Sequence, residues 1–171
     1  MGAADHAHET AHETAHQTAR ETGRETRRDR ARPTIADYRH VSAFTTRWMD
    51  NDVYGHVNNV TYYSYFDSAA NAYLIEKGGL DIHAAPVIGL VVESGCRYHA
   101  PVAYPQRLRA GLRVDRLGDR SVTYGIGIFT EDDDRAVADG YVAHVFVERE
   151  SRTPTAIPDP IRAALAAITV G

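Results

Sequence analysis

The sequence is poor in cysteine and in long apolar runs: among its 171 residues it has one cysteine, Cys96. A lone cysteine excludes an intrachain disulfide framework and a thiolate metal cluster, although one thiol could still act as a nucleophile. A buried packing role is commoner for such a residue. Because the chain has no stretch of about eighteen apolar residues and no apolar core of a secretory signal, we expect neither membrane insertion nor export, and a cytoplasmic protein.

The sequence also has no excess of basic residues. Nineteen Lys and Arg against 23 Asp and Glu give a net charge of −4, which does not suit a general nucleic-acid binder. Any phosphate-bearing ligand must then be bound by individual arginines. The apolar content of 43% is enough for one hydrophobic core and leaves little room for a second domain.

The N-terminal region repeats an Ala-His-Glu-Thr pattern with a period of four over residues 7–26. It contains nothing large and apolar to bury, so we predict a disordered low-complexity tail over residues 1–36. If the repeat were helical, His8, His12 and His16 would share one face at a spacing that can bind a divalent metal. A solvated extension is the favoured interpretation. A folded domain is predicted over residues 37–150, with a C-terminal extension over residues 151–171.

A strand and a long helix are predicted at the start of the folded domain. From His40 to Arg47 the residues alternate with a period of two, which indicates a strand. A polar turn then leads to Asn59–Lys77, which has no Gly or Pro and whose apolar residues, among them Tyr63, recur at spacings of three and four. This pattern predicts one long helix, which the pair Gly78-Gly79 would end.

The rest of the chain predicts four long strands and a short terminal helix. Turn signals separate strands at Val87–Tyr98, around Arg107–Val114, around Val122–Ile128 and at Val137–Glu148, and Asp159-Pro160 would begin the helix. Consecutive strands joined by short turns favour an α+β fold, in which one curled antiparallel sheet packs on the long helix. Because about five strands cannot cover the helix on every side, their edges favour pairing with a second protomer. We expect a dimer at least.

The segment from Trp48 to Asn59 reads WMDNDVYGHVNN and concentrates carboxylates, carboxamides and an imidazole between the first strand and the helix. Asp and Asn are common turn and cap residues, so a purely structural role is one explanation. The other is catalytic. A helix N-terminus offers free backbone N–H groups to an oxyanion, and a carboxylate in the preceding turn could attack a carbonyl carbon or activate water beside it.

Asp50 to Asn59, followed by the apolar and aromatic positions Tyr62, Tyr63, Tyr65, Phe66 and Ala69, resemble the signature of the 4-hydroxybenzoyl-CoA thioesterase family. The related acyl-carrier-protein thioesterases carry the same His-Val-Asn-Asn run. The resemblance extends from about His40 to Glu148. It implies a hotdog fold, in which an antiparallel sheet of about five strands wraps a long central helix, and hydrolysis of a thioester.

The resemblance also implies roles for individual residues. The catalytic carboxylate of the family falls on Asp52, as nucleophile or as general base toward water, and Asp50 is interpreted as a structural turn residue. His56 and Asn59 would support catalysis by orienting the base, the substrate or the water. The better-studied benzoyl-CoA enzymes have a bulky aromatic residue in place of His-Val-Asn-Asn, so a fatty or branched acyl group is as well supported here as an aromatic one.

Further positions are assigned to substrate binding by the same resemblance. The pantetheine arm is expected to pass between protomers, with the nucleotide on the surface, where guanidinium groups suit its phosphates. Glu93 would face the same cleft across a dimer interface, or else form a partly exposed salt bridge. The assigned residues are Gly55, Val57, Asn58, Tyr62, Glu93, Arg97, Arg107 and Arg120, the three arginines being candidates for phosphate contacts.

Three functions follow from these observations. The first is hydrolysis of an acyl-CoA or acyl-carrier-protein thioester; the others are hydration of an enoyl thioester and non-catalytic acyl-CoA binding. No metal or other cofactor is expected, because the histidines of the folded part lack the paired spacing of a zinc site. The expected partners are the thioester and further copies of the chain, in a homodimer or homotetramer, with no nucleic acid and no membrane.

Overall fold

The computed structural model describes residues 32–171. The strands are β1 (His40–Thr45), β2 (Val87–Tyr98), β3 (Arg107–Leu117), β4 (Ser121–Thr130) and β5 (Ala138–Glu148); the α-helices are α1 (Thr61–Glu76) and α2 (Asp159–Ala167). Short 3-10 turns lie at Ile35–Asp37 and Trp48–Asp50. Among these described elements no helix is long and apolar enough to span a membrane. The predicted α+β architecture of one long helix and five strands is confirmed.

The five strands form one antiparallel sheet in the order β1-β3-β4-β5-β2. Strands β3, β4 and β5 follow one another through short turns, and the amide of Gly118 donates to the carbonyl of Ser121 at 2.8 Å in the first of them. Helix α1 connects β1 to β2, which lie at opposite edges of the sheet. Strand β2 is therefore an edge strand, and its apolar residues Leu90, Val91 and Val92 are exposed.

Helix α1 packs on the concave face of the sheet because its apolar residues share one broad side. Alternate residues of β3 and β4 supply the other half of this core: Leu108, Ala110, Leu112, Val114, Val122, Tyr124, Ile126 and Ile128 are all buried. On the helix, Phe66 and Ala70 lie at the centre of the contact and are fully buried. Tyr63, which the spacing placed in the apolar stripe, is exposed, because it lies at the rim of the helix face that contacts the sheet.

The first described residues pack on the turn between β4 and β5. The amide of Ile35 donates to the carbonyl of Asp134 at 2.9 Å, and the amide of Ala136 donates to the carbonyl of Pro33 at 2.9 Å. Contacts with the sheet thus begin at Pro33, whereas composition predicts that the domain starts at residue 37. The difference arises because backbone hydrogen bonds, which composition does not reveal, hold a segment with few apolar side chains. The four-residue repeat and its three histidines lie outside the described residues.

The C-terminal segment contributes to the same core as helix α1. Ile161 and Leu165 of α2 are buried in it, and Tyr73 of α1 donates a hydrogen bond to the carbonyl of Ala164 at 2.7 Å. The amide of Val114 also donates to the carbonyl of Ile168 at 2.9 Å. Residues 157–168 therefore close the end of the core near the C-terminus of α1.

Candidate active site

Asp50 anchors the loop between β1 and α1. Its side chain is 1% exposed. One oxygen accepts hydrogen bonds from the hydroxyl of Tyr65 at 2.6 Å and the amide of Arg47 at 2.7 Å, and the other accepts from the Arg47 guanidinium at 3.0 Å. Burial opposes ionisation of Asp50, but these donors outweigh it and hold the pKa of the carboxyl below its usual value. The carboxylate is fully engaged in holding the loop.

Asp52 lies in a tight turn and keeps its carboxylate largely free. One oxygen accepts from the amide of Tyr54 at 2.8 Å, the arrangement of an Asx turn. The amide of Gly55 donates to the carbonyl of Asp52 at 3.1 Å, and the amide of Asp52 donates to the carbonyl of His56 at 2.9 Å. Gly55 has φ +84°, which a glycine adopts without strain. The Asp52 side chain is half-buried and forms no ion pair with any described residue.

The head of helix α1 follows directly and presents unpaired backbone donors. Asn58 holds it: its side-chain oxygen accepts from the amide of Val60 at 3.1 Å, and its carbonyl accepts from the amide of Thr61 at 3.0 Å. Within residues 32–171, the amides of Asn59 and Tyr62 find no acceptor. These N–H groups, with the positive end of the helix dipole, can stabilise a developing oxyanion.

His56 and Asn59 lie in the same loop, and both are exposed. Neither side chain makes a hydrogen bond to another described residue. The carbonyl of Asn59 accepts a hydrogen bond from the hydroxyl of Tyr98 at 2.9 Å, which ties the end of β2 to the helix head. In the single chain the two side chains therefore remain available to water or a ligand.

Val57 and Tyr62, assigned to substrate contact from the sequence, belong to the hydrophobic core in the single chain. The amide of Val57 donates to the carbonyl of Val102 at 2.8 Å. Tyr62 is 3% exposed, and its ring lies 5.2 Å from the ring of Tyr98, centroid to centroid. Burial raises the pKa of Tyr62 to about 12, so its hydroxyl is neutral at physiological pH.

The three candidate arginines do not converge. Arg97 on β2 is hydrogen-bonded to the buried carboxylate of Asp139, which also contacts the His99 ring at 2.6 Å. Arg107 is on β3, separated from β2 by two strands, and its guanidinium lies 3.7 Å from Glu131. Arg120 is exposed in the β3–β4 turn, and its side chain makes no ion pair or hydrogen bond within the described part.

Glu93 does not form the salt bridge considered from the sequence. Its carboxylate accepts a hydrogen bond from the hydroxyl of Tyr141 at 2.7 Å and pairs with no cation among residues 32–171. Tyr141 lies beside Glu93 because β5 is the neighbouring strand, a relation that the sequence alone did not reveal.

Sequence reasoning also missed a group of exposed apolar side chains around Asp52. Val53 is 95% exposed and Trp48 is 82% exposed, and Met49, Tyr54 and Val60 are exposed as well. The ring of Trp48 contacts that of Tyr104 at 5.7 Å. Exposed apolar clusters of this kind mark surfaces that bind another molecule. The presence of Trp, Met, Val and Tyr in an otherwise polar turn is the feature of the sequence that could have revealed this group.

A groove of about 310 Å³ lies between α1 and β1. Small side chains such as Ser42, Ser68 and Ala72 line it together with Phe44 and Tyr65. Asp52 is not among the residues that line it. Arg47 and Tyr65, which hold Asp50 in the loop, also line the groove, so the groove adjoins the anchored part of the loop.

Comparisons with known proteins identify the family. The model of the thioesterase superfamily matches residues 54–137. The crystal structure of the PA5185 protein of Pseudomonas aeruginosa is 57% identical, covers 82% of this chain and 98% of its own, and has a TM-score of 0.81. The PA2801 protein of Pseudomonas aeruginosa, a candidate thioesterase, is 33% identical, with coverages of 73% and 96% and a TM-score of 0.69.

A more distant structure shares the fold alone: Slr0204, a 1,4-dihydroxy-2-naphthoyl-CoA thioesterase from Synechocystis, is 17% identical, covers 74% of this chain and 94% of its own, and has a TM-score of 0.67. No curated protein matches the sequence. Because PA5185 and PA2801 are matched over nearly their whole length at 57% and 33% identity, the chain belongs to the thioesterase superfamily, and it is a thioester hydrolase with the hotdog fold.

Proposed function

We propose that the chain is an acyl-CoA thioesterase in which the carboxylate of Asp52 drives hydrolysis, as nucleophile at the acyl carbon or as the base that activates water. One observation carries this proposal. The half-buried carboxylate, bonded only to the amide of Tyr54, sits in the turn that leads into a helix head with free N–H groups on Asn59 and Tyr62.

The chemistry needs two elements at one acyl carbon. An ionised carboxylate supplies the electron pair, directly or by taking a proton from water, and the thioester carbonyl becomes a tetrahedral oxyanion. Backbone N–H groups at the helix head can bind this oxygen while the C–S bond breaks and the sulfur leaves as a thiolate. If Asp52 acts as the base, the proton that it took from water neutralises the thiolate. If Asp52 acts as the nucleophile, the acyl group stays on its carboxylate as an anhydride, and a water molecule then cleaves the anhydride, which releases the acid, restores the carboxylate and supplies the proton for the thiolate. His56 and Asn59, whose side chains are exposed and unbonded, are assigned to hold the attacking water or the substrate.

Substrate contacts are proposed from the surface charges. Arg120 is exposed and has no partner side chain among the described residues, so it is the arginine best suited to bind a nucleotide phosphate. Arg107 is the second candidate, because its ion pair with Glu131 is weak at an N···O distance of 3.7 Å. Arg97 is already bonded to Asp139, so a phosphate would have to compete with that carboxylate. Gly55 and Asn58 shape the loop that a pantetheine arm would pass. The thiol carrier is coenzyme A or an acyl-carrier protein.

A homodimer is part of the proposal. Strand β2 lies at a sheet edge with Leu90, Val91 and Val92 exposed, and an unpaired apolar edge favours pairing with a second copy. Pairing through β2 would bring Glu93 and the end of β2 near the loop of Asp52 in the partner. Further association of dimers into a tetramer is compatible with the same interface.

Free-thiol release from a panel of acyl-CoAs tests the function. We expect the parent to hydrolyse at least one of them, and Asp52→Asn and Asp52→Ala to lose roughly two or more orders of magnitude in kcat. The melting temperature of Asp52→Asn should match that of the parent, because the Asn side-chain oxygen can still accept from the amide of Tyr54 and the carboxylate makes no ion pair among the described residues. Asp52→Ala loses that hydrogen bond and should melt slightly lower. Asp132→Asn, which removes an exposed carboxylate from the β4–β5 turn, is the charge-matched control.

Undiminished hydrolysis in the Asp52 variants would reject the catalytic assignment. Hydration of crotonyl-CoA without thiol release would instead indicate an enoyl thioester hydratase. Binding of acyl-CoA with neither product would indicate a binding module.

A further inference from the structure

Tyr98, the last residue of β2, donates a hydrogen bond to the backbone at the head of helix α1. Its hydroxyl donates to the carbonyl of Asn59 at 2.9 Å, and its ring lies 5.2 Å, centroid to centroid, from the buried ring of Tyr62. The sheet fixes the backbone of Tyr98, because this residue pairs with Ala138 on β5. The phenol therefore approaches the helix head from a strand that is held in place.

The peptide group between Asn59 and Val60 is held at both ends. Tyr98 donates to its carbonyl, and its amide, on Val60, donates to the side-chain oxygen of Asn58 at 3.1 Å. Because a peptide group is planar and stiff, two bonds at opposite ends restrict its rotation. The carbonyl of Asn59 thus stays directed at the Tyr98 hydroxyl.

The first turn of α1 leaves out one hydrogen bond at the same place. The amides on either side of Tyr62 each donate to the carbonyl of the third residue before them, at 3.0 and 3.2 Å. The two pairs are Thr61 with Asn58 and Tyr63 with Val60. Continued through Tyr62, this 3-10 pattern would pair its amide with the carbonyl of Asn59. Within residues 32–171 that amide finds no acceptor, and the carbonyl accepts from Tyr98 instead.

We infer that Tyr98 is a positioning residue for thioester hydrolysis: by holding the carbonyl of Asn59, it keeps the amide of Tyr62 free to donate to the oxyanion. The inference rests on the proposed function, in which that amide is one of the oxyanion donors. Tyr98 acts through the backbone and makes or breaks no bond of the substrate. Without its hydroxyl, the Asn59 carbonyl is free to turn to the Tyr62 amide, which closes the missing helical bond and removes the donor.

The hydroxyl of Tyr98 can play this role at every pH at which hydrolysis is assayed. Partial burial and the neighbouring Cys96 thiol raise the pKa of Tyr98 far above its usual value near 10, so the hydroxyl stays protonated and continues to donate. A positioning role therefore predicts an effect on rate that is independent of pH. A residue that gave its proton to the leaving thiolate would show a pH-dependent effect.

Tyr98→Phe removes the hydroxyl and keeps the ring that packs on Tyr62. Free-thiol release is measured on the purified full-length chain with acetyl-, octanoyl-, hexadecanoyl- and benzoyl-CoA. On the best of these substrates we expect kcat to fall roughly 10- to 100-fold and KM to stay within about twofold, because an oxyanion donor binds the transition state and not the ground state. The ratio of parent to variant kcat should be constant between pH 6 and pH 9.

Tyr73→Phe is the matched control, because the Tyr73 hydroxyl also donates to a backbone carbonyl, that of Ala164 at 2.7 Å, but at the other end of α1. Tyr73 is 4% exposed and Tyr98 is 46% exposed, so Tyr73→Phe should lower the melting temperature at least as much as Tyr98→Phe. It should nevertheless keep the kcat and KM of the parent. An equal fall of kcat in both variants would assign the loss to stability and overturn the inference.

Amide hydrogen exchange, followed by NMR, tests the same geometry without a substrate. The amide of Tyr62 should exchange at least about tenfold more slowly in Tyr98→Phe than in the parent, because a hydrogen-bonded amide is protected. In Tyr73→Phe its exchange should match that of the parent.

The two measurements separate the inference from the function on which it rests. Unchanged exchange of the Tyr62 amide in Tyr98→Phe, or a loss of kcat that varies with pH, would overturn the role of Tyr98 and leave the thioesterase assignment intact. A parent that releases no thiol from any of the four substrates would overturn the proposed function, and the catalytic meaning of the Tyr98 contact with it, even if exchange responded as expected.

Discussion

Asp50 and Tyr65 are joined by a buried hydrogen bond of 2.6 Å, which the phenol donates to the carboxylate. This bond holds the loop between β1 and α1 against helix α1. Asp52, two residues along, has no such anchor and accepts only from the amide of Tyr54. The two acids of the Asp-Asn-Asp triplet thus have different environments. The Asp50 carboxylate holds the loop in place, whereas the Asp52 carboxylate remains available to a ligand.

The anchoring role of Asp50 predicts a loss of stability on substitution. Asp50→Asn removes a buried carboxylate that accepts from both Tyr65 and Arg47, and we expect it to lower the free energy of unfolding by about 2–4 kcal/mol. Tyr65→Phe leaves the Arg47 contacts in place and should cost about 1–2 kcal/mol. Urea denaturation at neutral pH measures both.

The double variant provides the check on that interpretation. If the two residues act through their mutual bond, the losses are not additive, and the interaction energy should be about 1 kcal/mol or more. Strictly additive losses would contradict a direct Asp50–Tyr65 interaction. Asp52→Asn, measured alongside, should leave the unfolding curve in place.

The packing of Tyr38 on the outer face of the sheet gives a second, independent prediction about stability. Its ring lies across Gly111 and Gly127, which face each other on β3 and β4, and a β-carbon on either glycine would come within 2.6 Å of a Tyr38 atom. Gly111→Ala should therefore destabilise the fold by about 1–3 kcal/mol through overpacking. Gly118→Ala, in the β3–β4 turn, gives a β-carbon no contact below 3.0 Å and serves as the control.

Removing the obstructing ring should relieve that strain. In a Tyr38→Ala background, Gly111→Ala should cost much less than in the parent, as read from thermal unfolding of the four proteins. An unchanged cost would mean that the loss comes from the strand backbone and not from the tyrosine.

The elements of this fold could be predicted because their periodicities are strong. The alternation of Leu108, Ala110, Leu112 and Val114, and the helical spacing around Phe66, each reflect one buried face, and the structure buries both. The strand pairing that brings Tyr141 beside Glu93 is a tertiary relation, which no local pattern encodes. The spacing also predicts that Tyr63 lies in the apolar stripe, but the residue is exposed. Spacing alone does not reveal where the buried face of a helix ends.

At the candidate site, the motif predicts the loop and the helix head, but it does not predict which contacts the side chains of the loop make. Which acid is buried depends on Tyr65, fifteen residues from Asp50, and on the guanidinium of Arg47. The burial of His144 did have a local signal, because it alternates with Val142 and Phe146 on β5. Its lack of a partner could not be foreseen, because that depends on every element packed around it.

Cys96 predicts low thiol reactivity. Burial raises the pKa of Cys96 to about 11, so its thiolate fraction at neutral pH is far below that of an exposed cysteine. We expect alkylation by iodoacetamide at pH 7.5 to be at least about tenfold slower in the folded chain than in urea, as followed by intact mass. Fast labelling of the folded chain would reopen the hypothesis that this thiol is a nucleophile.

His144 predicts a stability that declines on mild acidification. Because burial lowers the pKa of the folded-state imidazole below its usual value near 6.5, the unfolded chain takes up a proton first as the pH falls. The contribution is fully present above about pH 7 and is lost as the pH falls through the usual value toward the folded one, at no more than about 1.4 kcal/mol for each pH unit. Asp67, whose charge acts in the opposite direction, reduces the effect.

His144→Phe isolates this contribution from the other titrating groups. The variant should unfold at a similar or higher temperature than the parent at pH 8, because it removes two unsatisfied nitrogens from the core. Between pH 7 and pH 5 the parent should lose more stability than the variant, so that the gap between their melting temperatures widens. A gap that stays constant over this range would mean that His144 is not held neutral by burial, while a gap that narrows would require a folded-state pKa above that of the unfolded chain.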